Sequence, residues 1–281
     1  MSEFSAMRVT RDASDITIII KTFERPEALK ASYLSIRTFY PSAPIIIVDD
    51  SRRAMETGIF DSRTTYLKTN FNIGLSAGRN LGIDAAETPF AMIIDDDLLF
   101  NASTRLDLLK EPLNTAEFDI CGCRMLNFGS EEVIFHGTFE LQGRTLHLLI
   151  ERMNGHREGF PVYDFCLNVF LARTSFLKEN LWLPELKLRE HEEYFYRLHR
   201  AKPGRVTIRP EVHVDHYPLR TPFYSKHRTP IEDYYELALG MHNLDGIVQV
   251  PSPKQHLIRQ HKKASKGVRR LMNKIAGRWF A

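Results

Sequence analysis
The sequence predicts an α/β fold, a mostly parallel sheet flanked by helices, followed by a less regular lobe and a helical tail. Three observations predict it. Ile16–Ile20, Ile45–Val48 and Phe90–Ile94 are short, nearly uninterrupted apolar runs rich in β-branched residues, the mark of strands covered on both faces. Segments of helical periodicity alternate with them, which is the βαβ order of a parallel sheet. Polar clusters recur just past the strands: Lys21-Thr22-Phe23, Asp49-Asp50-Ser51, Asn70-Phe71-Asn72 and Asp95-Asp96-Asp97. Ligands of open parallel sheets bind at the carboxyl ends of the strands, so four separate segments deliver polar groups to one edge.

In chain order, the strand at 16–20 leads to Pro26, which suits the first turn of a helix. Ala28, Leu29, Tyr33, Ile36 and Phe39 continue it at helical spacing until Pro41. The second buried strand follows at 45–48, a weaker one at 64–67, a helix at 74–86 and the third buried strand at 90–94. Glu131–Arg152 suggests a hairpin turning near Gln142-Gly143. Helices are expected at 174–180, 190–200 and 231–243, and short strands at 206–208 and 212–214. Neither repeats nor a long linker interrupt the chain. Residues 1–250 therefore read as one domain in two halves, about 15–110 and 111–250.

Composition narrows the class. A chain of 281 residues, 43% hydrophobic, buries about three quarters of its unfolded surface in one large domain or two small ones. Charged residues make up 26% with nearly balanced signs, which excludes disorder for most of its length. No run of 18 apolar residues occurs, and the first residues lack the apolar core of a secretory signal. Three cysteines are too few for a disulfide framework, and Cys121 and Cys123 lack metal-ligand spacing. A reducing, cytoplasmic setting is expected. Residues 251–281 hold nine Lys/Arg and no acid, leaving 29 basic against 35 acidic residues in 1–250. An acidic body with a basic tail argues against general nucleic-acid binding. In the tail, Ala264, Val268, Leu271, Met272, Ile275 and Trp279 recur at helical spacing among basic residues, as in a helix lying on an anionic membrane surface; docking on the acidic body or a second subunit is the rival.

Asp95-Asp96-Asp97 after so apolar a strand is the sharpest chemical signal. Three adjacent carboxylates repel one another, and a hard divalent ion that also grips a diphosphate would offset them. The alternative is a solvated turn with Asp caps for the helix beyond it. Asp49 and Asp50 suit a ribose or base N–H, or equally the capping of a helix. Arg79, in Gly74-Leu75-Ser76-Ala77-Gly78-Arg79-Asn80 near a helix start, suits phosphate oxygens. That segment is neither a Walker loop nor GxGxxG, which excludes ordinary NTPases and dehydrogenases. Glu190-His191-Glu192-Glu193 supplies candidate general bases, or merely acids at a helix N-terminus. In His213-Val214-Asp215-His216 a regular strand turns the two histidines to opposite faces, so it offers at most one metal ligand.

Together KTFERP (Lys21–Pro26), IIIVDDS (Ile45–Ser51), GLSAGRNLGI (Gly74–Ile83) and MIIDDDLLF (Met92–Phe100) resemble nucleotide-sugar-dependent glycosyltransferases of the GT-A fold, family-2-like. With HEEYF (His191–Phe195) and VDH (Val214–His216), they look most like β-1,4-N-acetylgalactosaminyltransferases of the ganglioside-synthase type. The resemblance spans roughly residues 15–217. It implies that Thr22, Arg25, Asp49 and Asp50 frame the uridine and that Arg79 lies by the nucleotide and its diphosphate. It implies a DXD motif at Asp95-Asp96-Asp97, whose outer members Asp95 and Asp97 meet Mn²⁺ (or Mg²⁺) and the donor, with His216 as a further ligand. Related inverting enzymes carry a Glu-Asp pair near the acceptor. Here Glu190-His191 stands there, which leaves Glu190, His191 and Glu193 as alternative bases.

The expected function is thus inverting, metal-dependent transfer from a UDP-sugar (GalNAc, Gal or GlcNAc) to a glycan or lipid-linked acceptor, in surface polysaccharide synthesis. A cytoplasmic enzyme peripheral to the membrane fits this picture. The rivals are a sugar-phosphate nucleotidyltransferase, which usually has a Gly-rich, Arg-containing loop after its first strand, and a non-catalytic nucleotide-sugar- or glycan-binding protein, which needs no intact metal triad.

Overall fold
The structure, a computed structural model, describes residues 10–253 apart from 130, 220–221 and 228–230. The expected basic helix beyond residue 253 lies outside the described residues. The chain runs β1 (Ile16–Thr22), α1 (Pro26–Phe39), β2 (Ile45–Asp49), β3 (Thr64–Lys68), α2 (Leu75–Asp84), β4 (Phe90–Asp95), β5 (Leu98–Leu99), α3 (Leu106–Leu113) and β6 (Ile120–Asn127). There follow β7 (Glu131–Val133), β8 (Gly137–Gln142), β9 (Thr145–Ile150), β10 (His156–Arg157), β11 (Phe160–Pro161), β12 (Phe170–Arg173), α4 (Thr174–Glu179) and α5 (Glu190–Ala201). The described chain closes with β13 (Val206–His216), α6 (Pro222–His227), α7 (Ile231–His242) and β14 (Gly246–Val250).

The main sheet runs β3-β2-β1-β4-β12-β6-β13-β5, with β7 beside β6. Its first four strands are parallel, as the apolar runs predict. Beyond β4 the sheet is mixed, because β12 enters antiparallel between β4 and β6. All seven residues of β1 are buried, and their alternation feeds two cores. Ile18 and Ile20 pack with Leu29, Tyr33 and Ile36 of α1 and with Leu106 and Leu109 of α3. Ile19 faces Ile83 of α2, Phe170, Trp182 and Tyr194 on the other side.

Two sequence expectations are revised. Residues 206–216 form one strand, not two, since β13 continues through a register shift between Arg209 and His213. Pro210, which has no N–H to give the ladder, sits in that irregularity. Of the hairpin expected over 131–152, residues 137–150 form β8 and β9 while 131–133 pair with β6 as β7, and β14, which has no sequence signal of its own, adds to β9 in parallel. Among the described residues no helix is long and apolar enough to cross a membrane.

Candidate active site
The carboxyl end of β4, the turn after β1 and the first turns of α2 meet the start of α5 and the end of β13 around a cavity of about 560 Å³. Seven of the residues singled out in the sequence line it: Arg25, Arg79, Asp95, Asp97, Glu190, His191 and His216.

The three consecutive aspartates have three environments, because successive residues at a strand end point different ways. Asp95 keeps its side chain 39% exposed and accepts a hydrogen bond from Arg79 Nη2 at 3.1 Å. Asp96 is fully buried, accepting from Thr22 Oγ1 at 2.6 Å and from the Arg25 guanidinium. Burial pushes the Asp96 carboxyl up to about 6, against the pull of Arg25. Asp97 faces the cavity and accepts from Arg25 Nη1 at 2.6 Å. Burial would raise its carboxyl, but His216 and Arg25 outweigh that and hold it below the usual carboxylate range. Asp96, the middle member of the motif, is not among the cavity's lining residues; its side chain braces Arg25 inside the protein.

Asp97 and His216 bring a carboxylate oxygen and a ring nitrogen, donor types that suit a divalent cation, to one side of the cavity. His216 Nδ1 lies 2.6 Å from Asn127 Oδ1, the residue opposite it on β6. A proton on Nδ1 in that contact turns the Nε2 lone pair towards Asp97 Oδ2, 3.4 Å away. With the ring neutral, that nitrogen and the carboxylate oxygen could share a divalent cation; with it protonated, they pair with each other. Asp95, expected as a further ligand, is turned to Arg79, and among the described residues no three His, Cys, Asp or Glu side chains converge as a metal cluster.

Arg79 joins the two ends of the cavity. It is 1% exposed, bonds Asp95 through one nitrogen and Glu190 Oε1 through the other at 2.5 Å, and lies 5.5 Å from the Trp182 ring centre. Glu190 Oε1 also accepts from Asn168 Nδ2 at 3.3 Å. Burial would raise Glu190, yet the guanidinium beside it prevails and keeps the carboxyl below its ordinary range, ionised at neutral pH. His191 donates from Nε2 to Cys166 O at 2.8 Å, leaving Nδ1 unprotonated, and burial lowers its pKa so that the ring stays neutral. Glu193 is not at the cavity. A helix turns about 100° per residue, so position 193 lies about 60° beyond Glu190 on the side away from His191. It bonds Arg197 and His242 of α7, each at 3.1 Å.

Beside the cavity, sharing Leu75 with it, is a narrow hollow lined by Lys21, Phe23, Asp50, Asn72, Lys187 and His227. Asp50 reaches it; one oxygen is paired with Lys21 and the other accepts from Gly74 N at 3.0 Å. Two glycines permit this packing. A Cβ on Gly74 (φ 98°) would come within 2.6 Å of Lys187 Cβ, and one on Gly78 would overlap the Lys21 side chain. Thr22 and Asp49 line a different hollow, near Arg52 and Met55. Asp49 accepts from Ser51 N at 2.8 Å and from Tyr66 Oη at 2.5 Å, contacts that build the turn after β2. Sequence reading missed Asn127, Lys187, Tyr224 and His227. None sits in a motif, and only the fold brings them in: Tyr224, for instance, stacks 4.3 Å from the Arg25 guanidinium.

The family model described as Glycosyl transferase family 2 matches residues 17–181. Beta-1,4 N-acetylgalactosaminyltransferase 2 of Mus musculus is 33% identical over 186 residues, covering 64% of this chain and 35% of that protein. Beta-1,4 N-acetylgalactosaminyltransferase 1 of Homo sapiens is 32% identical over 188 residues, with the same coverage. The chain thus matches about a third of the length of these relatives. S. aureus TarS 1-349 in complex with UDP-GlcNAc superposes with a TM-score of 0.56 at 16% identity, over 82% of this chain and 67% of that one. Its complex with UDP gives 0.53 at 16%, over 82% and 66%. At such identity the likeness is one of fold. The parallel half-sheet, the edge where its strands end and the match over more than half the chain agree: the protein belongs to glycosyl transferase family 2 and has the GT-A fold.

Proposed function
We propose that the protein is an inverting glycosyltransferase that moves a hexose or N-acetylhexosamine from a UDP-sugar to a hydroxyl of a glycan or lipid-linked acceptor, in the building of surface polysaccharide. The observation that carries this reading is Arg79, which ties Asp95 at the donor edge to Glu190 across one cavity. The named substrates of the relatives and the ligands of the TarS complexes support a UDP-sugar.

In this reading the hollow of Phe23, Asp50, Asn72 and Lys187 takes the uracil, and the cavity takes the diphosphate and sugar. Asp97 and His216 would hold Mn²⁺ or Mg²⁺, which when bound supplies positive charge to the departing diphosphate. Glu190 is the base: ionised, lining the cavity and fixed by Arg79 and Asn168. It takes the proton of the acceptor hydroxyl as that oxygen attacks the anomeric carbon. The bond from that carbon to the β-phosphate oxygen breaks on the opposite face, and its electron pair leaves with UDP. Arg25 and Arg79 place two fixed positive charges along that path. We assign the enzyme to the cytoplasmic face of a membrane, on the support of the basic amphipathic pattern in 251–281.

The test is UDP release from a panel of UDP-sugars, with and without Mn²⁺ and saccharide acceptors, and NMR of the product anomer. Turnover of one UDP-sugar with inverted configuration is expected. Failure of every UDP-sugar to bind or turn over would overturn the proposal, and a retained configuration would overturn the inverting mechanism.

A further inference from the structure
Next to the cavity lies a second concavity of about 420 Å³. Ala28, Ala31 and Leu99 form its floor, and Phe128, Tyr217 and Leu219 its walls. Asp97 and Pro218 line both spaces, so the two adjoin. The rim is built at a cost to the fold. Phe128 is 65% exposed and its backbone is left-handed at φ 50°, a conformation disfavoured for an aromatic residue. Tyr217, 43% exposed, meets it edge to face with ring centres 5.6 Å apart. Both are tied to the candidate metal seat: Phe128 N donates to His216 O and Tyr217 N to Asp97 O, each at 3.0 Å. Strain and exposed rings thus coincide at one margin of the active cavity.

We infer that this concavity is a binding site for the hydrocarbon portion of the acceptor, which makes the acceptor a saccharide carried on an apolar chain. The inference deepens the functional reading above and rests on it for the word acceptor. The lining decides the chemistry. Apart from the carboxylates of Asp97 and Glu27 its side chains are almost wholly carbon, with no row of polar groups to match sugar hydroxyls. Its position decides the occupant: it shares Asp97 and Pro218 with the reacting cavity, so a chain lying in it can be joined directly to a saccharide at that edge.

The experiment titrates the full chain with n-octyl and n-dodecyl β-D-glucoside as monomers, by calorimetry. A fully buried methylene is worth roughly fourfold in affinity, so dodecyl should bind at one saturable site at least about tenfold tighter than octyl. Phe128→Gly keeps the left-handed backbone without strain, so its melting temperature should not fall while dodecyl affinity drops about tenfold or more. Ala31→Phe, which fills the floor from α1, should do the same to affinity. Equal octyl and dodecyl affinities in the wild type, or wild-type dodecyl affinity in both variants, would overturn the inference. So would non-saturable uptake with Phe128-dependent pelleting on phosphatidylcholine vesicles, which would make the rings a bilayer contact. A parallel UDP-sugar titration separates the two readings: saturable dodecyl binding without any UDP-sugar binding would sink the functional proposal and leave the apolar site standing.

Discussion
Replacing Glu190 by Gln separates chemistry from architecture. The carboxylate is 4% exposed and its Oε1 receives Arg79 at 2.5 Å and Asn168 at 3.3 Å. Gln keeps a carbonyl oxygen for both donors and removes only the charge. The change from a charged to a neutral acceptor costs about 1–1.5 kcal/mol, and Arg79 keeps Asp95 as its counter-ion. For a chain of this size each kcal/mol moves the melting temperature by about 2–4 °C, so a fall of about 2–6 °C is expected. Turnover, however, should drop about 10²–10⁴-fold, as when a general base is lost, with UDP-sugar binding changed only a few-fold. Arg79→Met is the contrast. It strands a buried carboxylate and should cost about 3–5 kcal/mol, most of it recovered in the double variant with Glu190→Gln. Thermal melts and UDP-release kinetics on all three variants test this. A Glu190→Gln enzyme within a few-fold of wild type would move the base to His191, and an Arg79→Met protein no less stable than Glu190→Gln would refute the buried pairing.

Three further outcomes are expected. Asp97→Ala should lose Mn²⁺ binding by calorimetry and more than about 10²-fold in transfer, and EDTA should reproduce this in the wild type; unchanged Mn²⁺ affinity in the variant would displace the metal seat. Burial lowers the pKa of both His136 and His191, so the folded state binds fewer protons than the unfolded one below the ordinary value of 6.5. Stability is therefore full above pH 6.5 and should decline as pH falls below it, read as a dropping melting temperature that flattens in His136→Asn/His191→Asn. A chain ending at Val250 should pellet with anionic liposomes less than the full chain at low salt; equal pelleting at low and high salt would end the membrane role of the basic segment.

The parallel half of the sheet was legible because a strand buried on both faces has to be apolar throughout, and Ile16–Ile20, Ile45–Val48 and Phe90–Ile94 satisfy that locally. The place of the site was legible for a related reason: polar residues cannot stay inside such strands, so they collect at the ends. Which polar residue does what was not. Asp95, Asp96 and Asp97 are chemically identical in the sequence, and only the packing of Arg79, Thr22, Arg25 and His216 around them sends one to solvent, one into the interior and one to the cavity beside His216. Asp49 and Asp50 divide likewise, one spent on Tyr66 and its own turn, the other on Lys21 beside the candidate nucleobase hollow. Glu193 shares a motif with Glu190 but belongs to Arg197 and His242, because helix rotation acts on direction and not on composition. Partners more than a hundred residues apart, such as Arg79 and Glu190, are bound by no local rule; strand order and crossing of elements alone bring them within a hydrogen bond.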